Sequence, residues 1–197
     1  MASEIVDLEC PGCAATISIN TRFCPYCQRP IVIKTINNIA GLSQMDINKQ
    51  VNSYRKAMAK SPDNAEMNLS IAFCYMRLKL YDKAISCFEK ALIDNFDNAD
   101  AYYYAAISLL KGKRAFLASR ETINKIIEYI DAANMIEPKG IFYYFLAYIK
   151  CDYFERKCLN SSPSYRECIS SAVNIGLSNA DVIDMYNLLG VERPAQI

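Results

Sequence analysis

From about Asp46 onward, apolar residues recur at helical spacing. Leu69, Phe73 and Met76 fall on one stripe, Tyr103, Ile107 and Leu110 on a second, and Tyr144 and Tyr148 on a third. The closing run DVIDMYNLL sets Asp181, Asp184 and Asn187 on one face and Val182, Met185, Tyr186 and Leu189 on the others, as in a helix with one packed side and one wet side. The stretch before Asp46 reads differently. ATISI alternates like a short strand, and KTINNIAGLSQMD, from Lys34 to Asp46, has weak periodicity and a glycine, as a connection does. The pattern predicts a small irregular module over 1–33, a connection over 34–45 and a helical region over 46–197.

The helical region repeats. Setting SYRKAMAKSPDNAE beside CFEKALIDNFDNAD aligns Tyr54 with Phe88, Lys56 with Lys90, Ala57 with Ala91 and Asp63-Asn64 with Asp97-Asn98, each pair 34 residues apart. In spacing and composition these segments resemble tetratricopeptide repeats, in which small residues let two helices approach and large ones fill the gap to the next hairpin. In the clearest unit, 65–98, Ile71, Ala72 and Tyr75 mark the first helix, and Ala84, Phe88 and Ala91 mark the second. Asn68 and Phe96 stand where the family usually has Trp and Pro. Later units drift: KGKRAFLASR pushes the next second helix, ETINKIIEYIDAANMIEP, out of phase, and a third hairpin begins at Tyr143 and resumes after NSSPS.

The resemblance spans about residues 46 to 190 and implies an all-α solenoid of helical hairpins. Its concave face would hold a peptide or helix of a partner protein. Leu69, Phe73, Met76, Tyr103, Ile107, Leu110, Tyr144 and Tyr148 are the candidate partner-binding residues. Chaperone-binding members of the family line this face with polar groups that clamp a terminal carboxylate. Leu69 and Phe73 occupy such positions here, so the expected partner presents an amphipathic helix or apolar segment.

Candidate metal chemistry lies in CPGCAATISINTRFCPYC. Cys10 and Cys13 form one C-x-x-C pair, Cys24 and Cys27 a second, and ten residues separate them. Each pair makes a tight knuckle that aims two sulfurs at one point, and the connector is long enough to run out and back as a hairpin that brings the knuckles together. Four cysteine ligands with no open position describe one structural zinc ion. A dithiol redox reading of CPYC needs an exposed Cys24 at the start of a sustained helix, and Pro30 stands three residues past Cys27. The segment resembles the short zinc ribbons of bacterial proteins over about residues 8 to 33. Those ribbons usually place Gly directly after each pair, whereas this chain has Ala14 and Gln28. Cys74, Cys87, Cys151, Cys158 and Cys168 lack paired ligand spacing and read as packing residues.

Composition narrows the function. The chain of 197 residues has no histidine, which removes the commonest general base and imidazole metal sites, and no carboxylate pair, phosphate loop or nucleophile motif stands out. Its 22 basic and 21 acidic residues nearly cancel, giving no electrostatic reason to expect nucleic acid. The opening MASEIVDLEC is acidic, and YYYAAISLL and IFYYFLAYI are too short to span a bilayer, so a cytoplasmic protein without membrane contact or small-molecule substrate is expected. The expected function is a non-enzymatic adaptor or scaffold. The alternatives are a nucleic-acid-associated zinc-ribbon factor and a thiol oxidoreductase using CPYC. Lys111, Lys113, Arg114 and Arg120 form a basic run that reads as a solvated loop or as a grip for an acidic partner.

Overall fold

A computed structural model describes residues 7–19 and 21–197; residues 1–6 and 20 of the expected N-terminal module lie outside the described residues. The chain divides into two compact units, one reaching to Phe96 and the other running from Asp97 to Ile197.

In the first unit, β1 (Asp7–Glu9) pairs antiparallel with β2 (Thr16–Ser18), with Leu8 opposite Ile17. The alternation in ATISI does form a strand. Its partner lies upstream of Cys10, so the hairpin wraps the first cysteine pair instead of being formed inside the connector. An antiparallel bridge between Phe23 and Pro30 flanks the second pair in the same way. A 3-10 turn, Ile36–Ile39, follows within the expected connection and buries Ile36 and Ile39. Helices α1 (Gln44–Met58), α2 (Ala65–Arg77) and α3 (Tyr81–Asp94) complete the unit.

The 34-residue period has a capping origin. Asn64 begins α2 by accepting a hydrogen bond from Met67 N at 2.9 Å, and Asn98 begins α4 by accepting one from Ala101 N at 3.0 Å. Tyr54 and Phe88, one period apart, are both fully buried. Phe88 meets Phe73 edge-to-face at 5.4 Å between α2 and α3. Asn68, which stands where the family has Trp, ties down the turn before α2 by donating to the Pro62 and Asn64 carbonyls at 3.0 and 3.1 Å.

By this period α1 is the second helix of a hairpin that has no first helix. The cysteine-bearing segment stands in the missing helix's place. It buries Leu8, Ile17, Ile31 and Ile33, and its backbone is tied to α1 and α2 by side chains. Gln50 donates to the Pro30 carbonyl at 2.9 Å, the Tyr54 hydroxyl to the Ile31 carbonyl, and the Ser53 hydroxyl to the Glu9 carbonyl. On α2 the Ser70 hydroxyl accepts from Ile33 N at 3.0 Å. Ribbon and repeat therefore share one core, and each would expose apolar surface without the other.

The second unit contains α4 (Ala99–Leu109), a 3-10 turn (Ala115–Leu117), α5 (Arg120–Ile136), α6 (Gly140–Ile149), α7 (Tyr165–Ile175) and α8 (Asn179–Leu189). Helix α6 runs on through a π-helical turn, Lys150–Phe154. Gly140 lets α6 start against the end of α7: a Cβ there would lie 2.7 Å from Leu177 N and 2.8 Å from the Ala172 carbonyl oxygen. Helix α8 buries Val182, Met185, Tyr186 and Leu189, the face its sequence pattern predicts. Among the described residues no helix is long and apolar enough to cross a membrane.

Candidate metal centre

The two cysteine pairs sit in knuckles of identical backbone design. In the first, Cys10 N donates to the Ala15 carbonyl at 2.8 Å and Ala14 N to the Cys10 carbonyl at 2.9 Å; in the second, Cys24 N donates to the Arg29 carbonyl at 2.8 Å and Gln28 N to the Cys24 carbonyl at 2.9 Å. The residue after each pair is left-handed, Ala14 at φ 61° and Gln28 at φ 59°. The glycine-type backbone of the ribbon is thus kept without glycine, at a steric cost of about 1–2 kcal/mol per residue.

This duplication brings four sulfurs together. All lie within 4.8 Å of one another, with Cys10 Sγ 3.6 Å from Cys27 Sγ and Cys13 Sγ 3.7 Å from Cys24 Sγ. A disulfide would need about 2.05 Å. A tetrahedral ion with bonds of about 2.3 Å to sulfur requires sulfur–sulfur edges of about 3.8 Å, so the cluster is sized for a metal ion. The pattern of burial alternates: Cys10 and Cys24 are buried and Cys13 and Cys27 exposed, each knuckle pointing one ligand inward and one outward. Among the described residues it is the one cluster of three or more potential metal ligands.

The two buried thiols, Cys10 and Cys24, are shifted in opposite directions. Burial pushes Cys10 up to about 12 against hydrogen bonds from the backbone of Cys13 and Gly12. Burial also opposes ionisation of Cys24, but the backbone N–H groups of Cys27 and Tyr26 and the thiols of Cys10 and Cys27 together outweigh it and hold Cys24 at about 6. Because a sulfur ligand must be deprotonated, metal binding to this cluster would release protons and weaken at low pH. Arg29 adds positive charge. Its guanidinium passes the bare flank of Gly12, where a Cβ would meet Arg29 Nε at 2.9 Å and Cys27 Sγ at 3.0 Å. The same side chain reaches Asp46 at 3.1 Å in the first turn of α1, tying the second knuckle to the helix.

The geometry opposes a redox role for CPYC. Cys24, which would be the attacking thiol, is fully buried, and the chain after Cys27 turns into the Phe23–Pro30 bridge, not into a helix. Of the remaining cysteines, Cys74, Cys151 and Cys168 are buried in helices and Cys87 is half-buried, but Cys158 is exposed in a left-handed turn and is not the packing residue its sequence context suggests. Burial raises Cys74 to about 12 and Cys168 to about 11, which leaves them as protonated packing groups.

The expected partner-binding stripes lie inside. Leu69, Phe73, Met76, Tyr103, Ile107, Leu110, Tyr144 and Tyr148 are all buried. Phe73 packs on Phe88, and Tyr103 on Phe142 and Phe145 at 5.0 and 5.8 Å. Tyr144 and Tyr148 both meet Tyr186 of α8, and the Tyr148 hydroxyl accepts from Ala115 N at 3.2 Å. The structure brings the four cysteines together and puts the eight stripe residues into packing contacts of the chain itself. The Gln50, Ser53 and Ser70 anchors escape sequence reading, since polar residues within a helical pattern look like solvent-facing positions; Tyr54 is marked by its alignment with Phe88, but not the bond its hydroxyl makes to the ribbon.

The tetratricopeptide repeat family matches residues 51–110, which take in most of α1, the α2–α3 hairpin and α4. Among solved structures the chain is similar to MamA of MSR-1, crystal form C2, with 16% identity and a TM-score of 0.51 over 66% of this chain and 67% of that one. It is similar also to MamA of AMB-1, crystal form P212121, with 15% identity and a TM-score of 0.51 over 76% of this chain and 78% of that one. Identities this low speak for the fold alone. No curated protein matches the sequence. The fold class is all-α, built of tetratricopeptide-like helical hairpins, with a small cysteine-bearing ribbon at the N-terminus.

Proposed function

We propose that the protein is a non-enzymatic adaptor in which one structural zinc ion, held by Cys10, Cys13, Cys24 and Cys27, secures a ribbon that caps tetratricopeptide hairpins, and that the hairpins engage a peptide or amphipathic helix of a partner protein. The observation that carries the zinc assignment is the gathering of four sulfurs within 4.8 Å of one another, with two separations, 3.6 and 3.7 Å, close to the edge length of a tetrathiolate. Four thiolates leave no coordination position for water or substrate, so the ion contributes folding free energy and not chemistry. Because the stripe residues are engaged in packing, partner contact belongs to the exposed surface of the hairpins. Elemental analysis of protein purified without chelator should give one zinc per chain, and Cys24→Ser should lose it. Capture on the tagged 197-residue chain from its native host should recover a protein partner. Zinc-free protein, or a Cys24→Ser variant that keeps its metal, would contradict the site, while turnover of a small molecule requiring Cys24 would replace the adaptor with an enzyme.

A further inference from the structure

One end of the second unit is built more rigidly than a solvated loop requires. The connection from α4 to α5 carries Lys111, Lys113 and Arg114 and then turns through Ala115–Leu117. Two buried groups of α6 hold that turn: Tyr148, whose hydroxyl accepts from Ala115 N, and Asp152, whose Oδ2 accepts from Phe116 N at 2.9 Å. Asp152 is 1% exposed, and its other oxygen accepts from Arg156 Nη1 at 2.9 Å. Both oxygens of the buried carboxylate are thereby used, and Arg156 is fixed with its guanidinium 4.4 Å from the centre of the Phe116 ring.

The π-helical turn places further cations on neighbouring rings. Lys157 Nζ lies 3.9 Å from the Tyr153 ring centre and 5.1 Å from that of Phe116, and the Arg120 guanidinium lies 4.8 Å from that of Phe154. These cations are held by rings and by a buried acid, so less side-chain freedom remains to be lost when they are engaged. They also keep their outer faces: Arg156 and Arg114 are 43% and 42% exposed. Six cations, Lys111, Lys113, Arg114, Arg120, Arg156 and Lys157, stand against four carboxylates, Glu121, Asp152, Glu155 and Glu192, so the excess is positive; Asp152 is enclosed, and Glu192 approaches Arg114 only at 3.9 Å while 93% exposed.

We propose that this cationic end, centred on Arg114, Arg120, Arg156 and Lys157, docks an acidic segment of a protein partner. Arginine forks accept carboxylates in pairs of hydrogen bonds, which suits a run of Glu and Asp. Nucleic acid suits it less. The rings already carry cations on their faces and so offer no platform for bases, and the exposed carboxylates of Glu121, Glu155 and Glu192 interrupt the patch where a phosphodiester chain would bring continuous charge. The proposal rests on the adaptor reading above and on none of the metal chemistry.

The test is fluorescence anisotropy of the full chain with a labelled octaglutamate peptide, with its glutamine counterpart and a single-stranded oligonucleotide as comparisons. The wild type should bind octaglutamate, weaken with salt and ignore the glutamine peptide. R120E/K157E should lose about tenfold or more in affinity, whereas K60E/K90E, an equal charge change in the first unit, should change it by less than about threefold. If R120E/K157E fails to fold, K113E/R114E is expected to give the same loss. No binding by the wild type, or equal losses in the two double variants, overturns the site. Tighter binding of the oligonucleotide that is lost in R120E/K157E would assign the site to nucleic acid instead. A partner captured from the native host whose binding survives R120E/K157E would overturn this surface and leave the adaptor reading standing.

Discussion

Replacing Ala14 and Gln28 by glycine should tighten metal binding, because both residues hold a left-handed backbone that only glycine adopts freely. An L-residue pays about 1–2 kcal/mol there, and glycine gives back about 0.5–1 kcal/mol through the greater freedom of its unfolded chain. Neither side chain is buried, so little contact is lost. The net gain is about 0.5–1 kcal/mol per site, or about 1–2 kcal/mol for the pair, which corresponds to roughly 5- to 30-fold in the metal-linked folding equilibrium at 1.4 kcal/mol per tenfold. Competition against a chromophoric chelator reads this directly. Ala40→Gly serves as the control. Its backbone is right-handed at φ −58°, so glycine there should cost about 0.5–1 kcal/mol in stability. If A14G/Q28G binds metal no more tightly than wild type while A40G behaves as expected, the left-handed knuckle does not limit the site.

Other perturbations address the packing. Tyr54→Phe removes the hydroxyl that donates to the Ile31 carbonyl and accepts from Gln50 at 2.8 Å, so denaturant unfolding of the first unit should lose about 1–3 kcal/mol; a loss below measurement would detach the ribbon from α1. Gly140→Ala drives a methyl into the backbone of Leu177 and Ala172 and should cost about 1–3 kcal/mol in the second unit, read by its thermal melt. Phe73→Ala should cost about 3–5 kcal/mol of stability, and retained stability with lost partner affinity would instead make Phe73 an interface residue. Glu167 is held below the usual carboxylate range by the backbone N–H and hydroxyl of Ser164, so its cap on α7 contributes fully above that range and is lost as pH falls through the lowered value. Glu167→Gln, which removes the titrating group, should flatten that part of the acid melting profile; an unchanged profile would show the cap to be without consequence.

Much of this was legible in particular residues. The spacing of Cys10, Cys13, Cys24 and Cys27 located the cysteine cluster because a knuckle is local, and the repeated Asp-Asn pairs marked the 34-residue period because each supplies a helix cap. The placement of the ribbon was not legible. Nothing local to Ile31 or Ile33 says that they pack where a first helix would stand; that follows from Tyr54 and Ser70, far along the chain, whose hydroxyls satisfy ribbon backbone. Ala14 and Gln28 stand where such ribbons place Gly, but their residue types favour other conformations, so only the structure shows that the left-handed backbone is kept there. The stripe of Leu69, Phe73 and Met76 was read correctly as one face of α2, but periodicity marks an apolar face without saying what covers it. The Asp152–Arg156–Phe116 network was not legible because Asp152 and Phe116 are 36 residues apart, and no local pattern pairs them.

The central claim is that a metal-held ribbon caps the repeats on the N-terminal side of α1, and hydrogen exchange of the 197-residue chain with and without a strong chelator tests it most directly. Removing the metal should strip protection from the knuckle amides of Cys10 and Cys24, from Ile31 and Ile33, and then from α1, whose buried face rests on them. Exchange in α5, α6 and α7 should not change, since those helices pack within the second unit. Confirmed metal loss with unaltered exchange from residue 7 through α1 would contradict the claim.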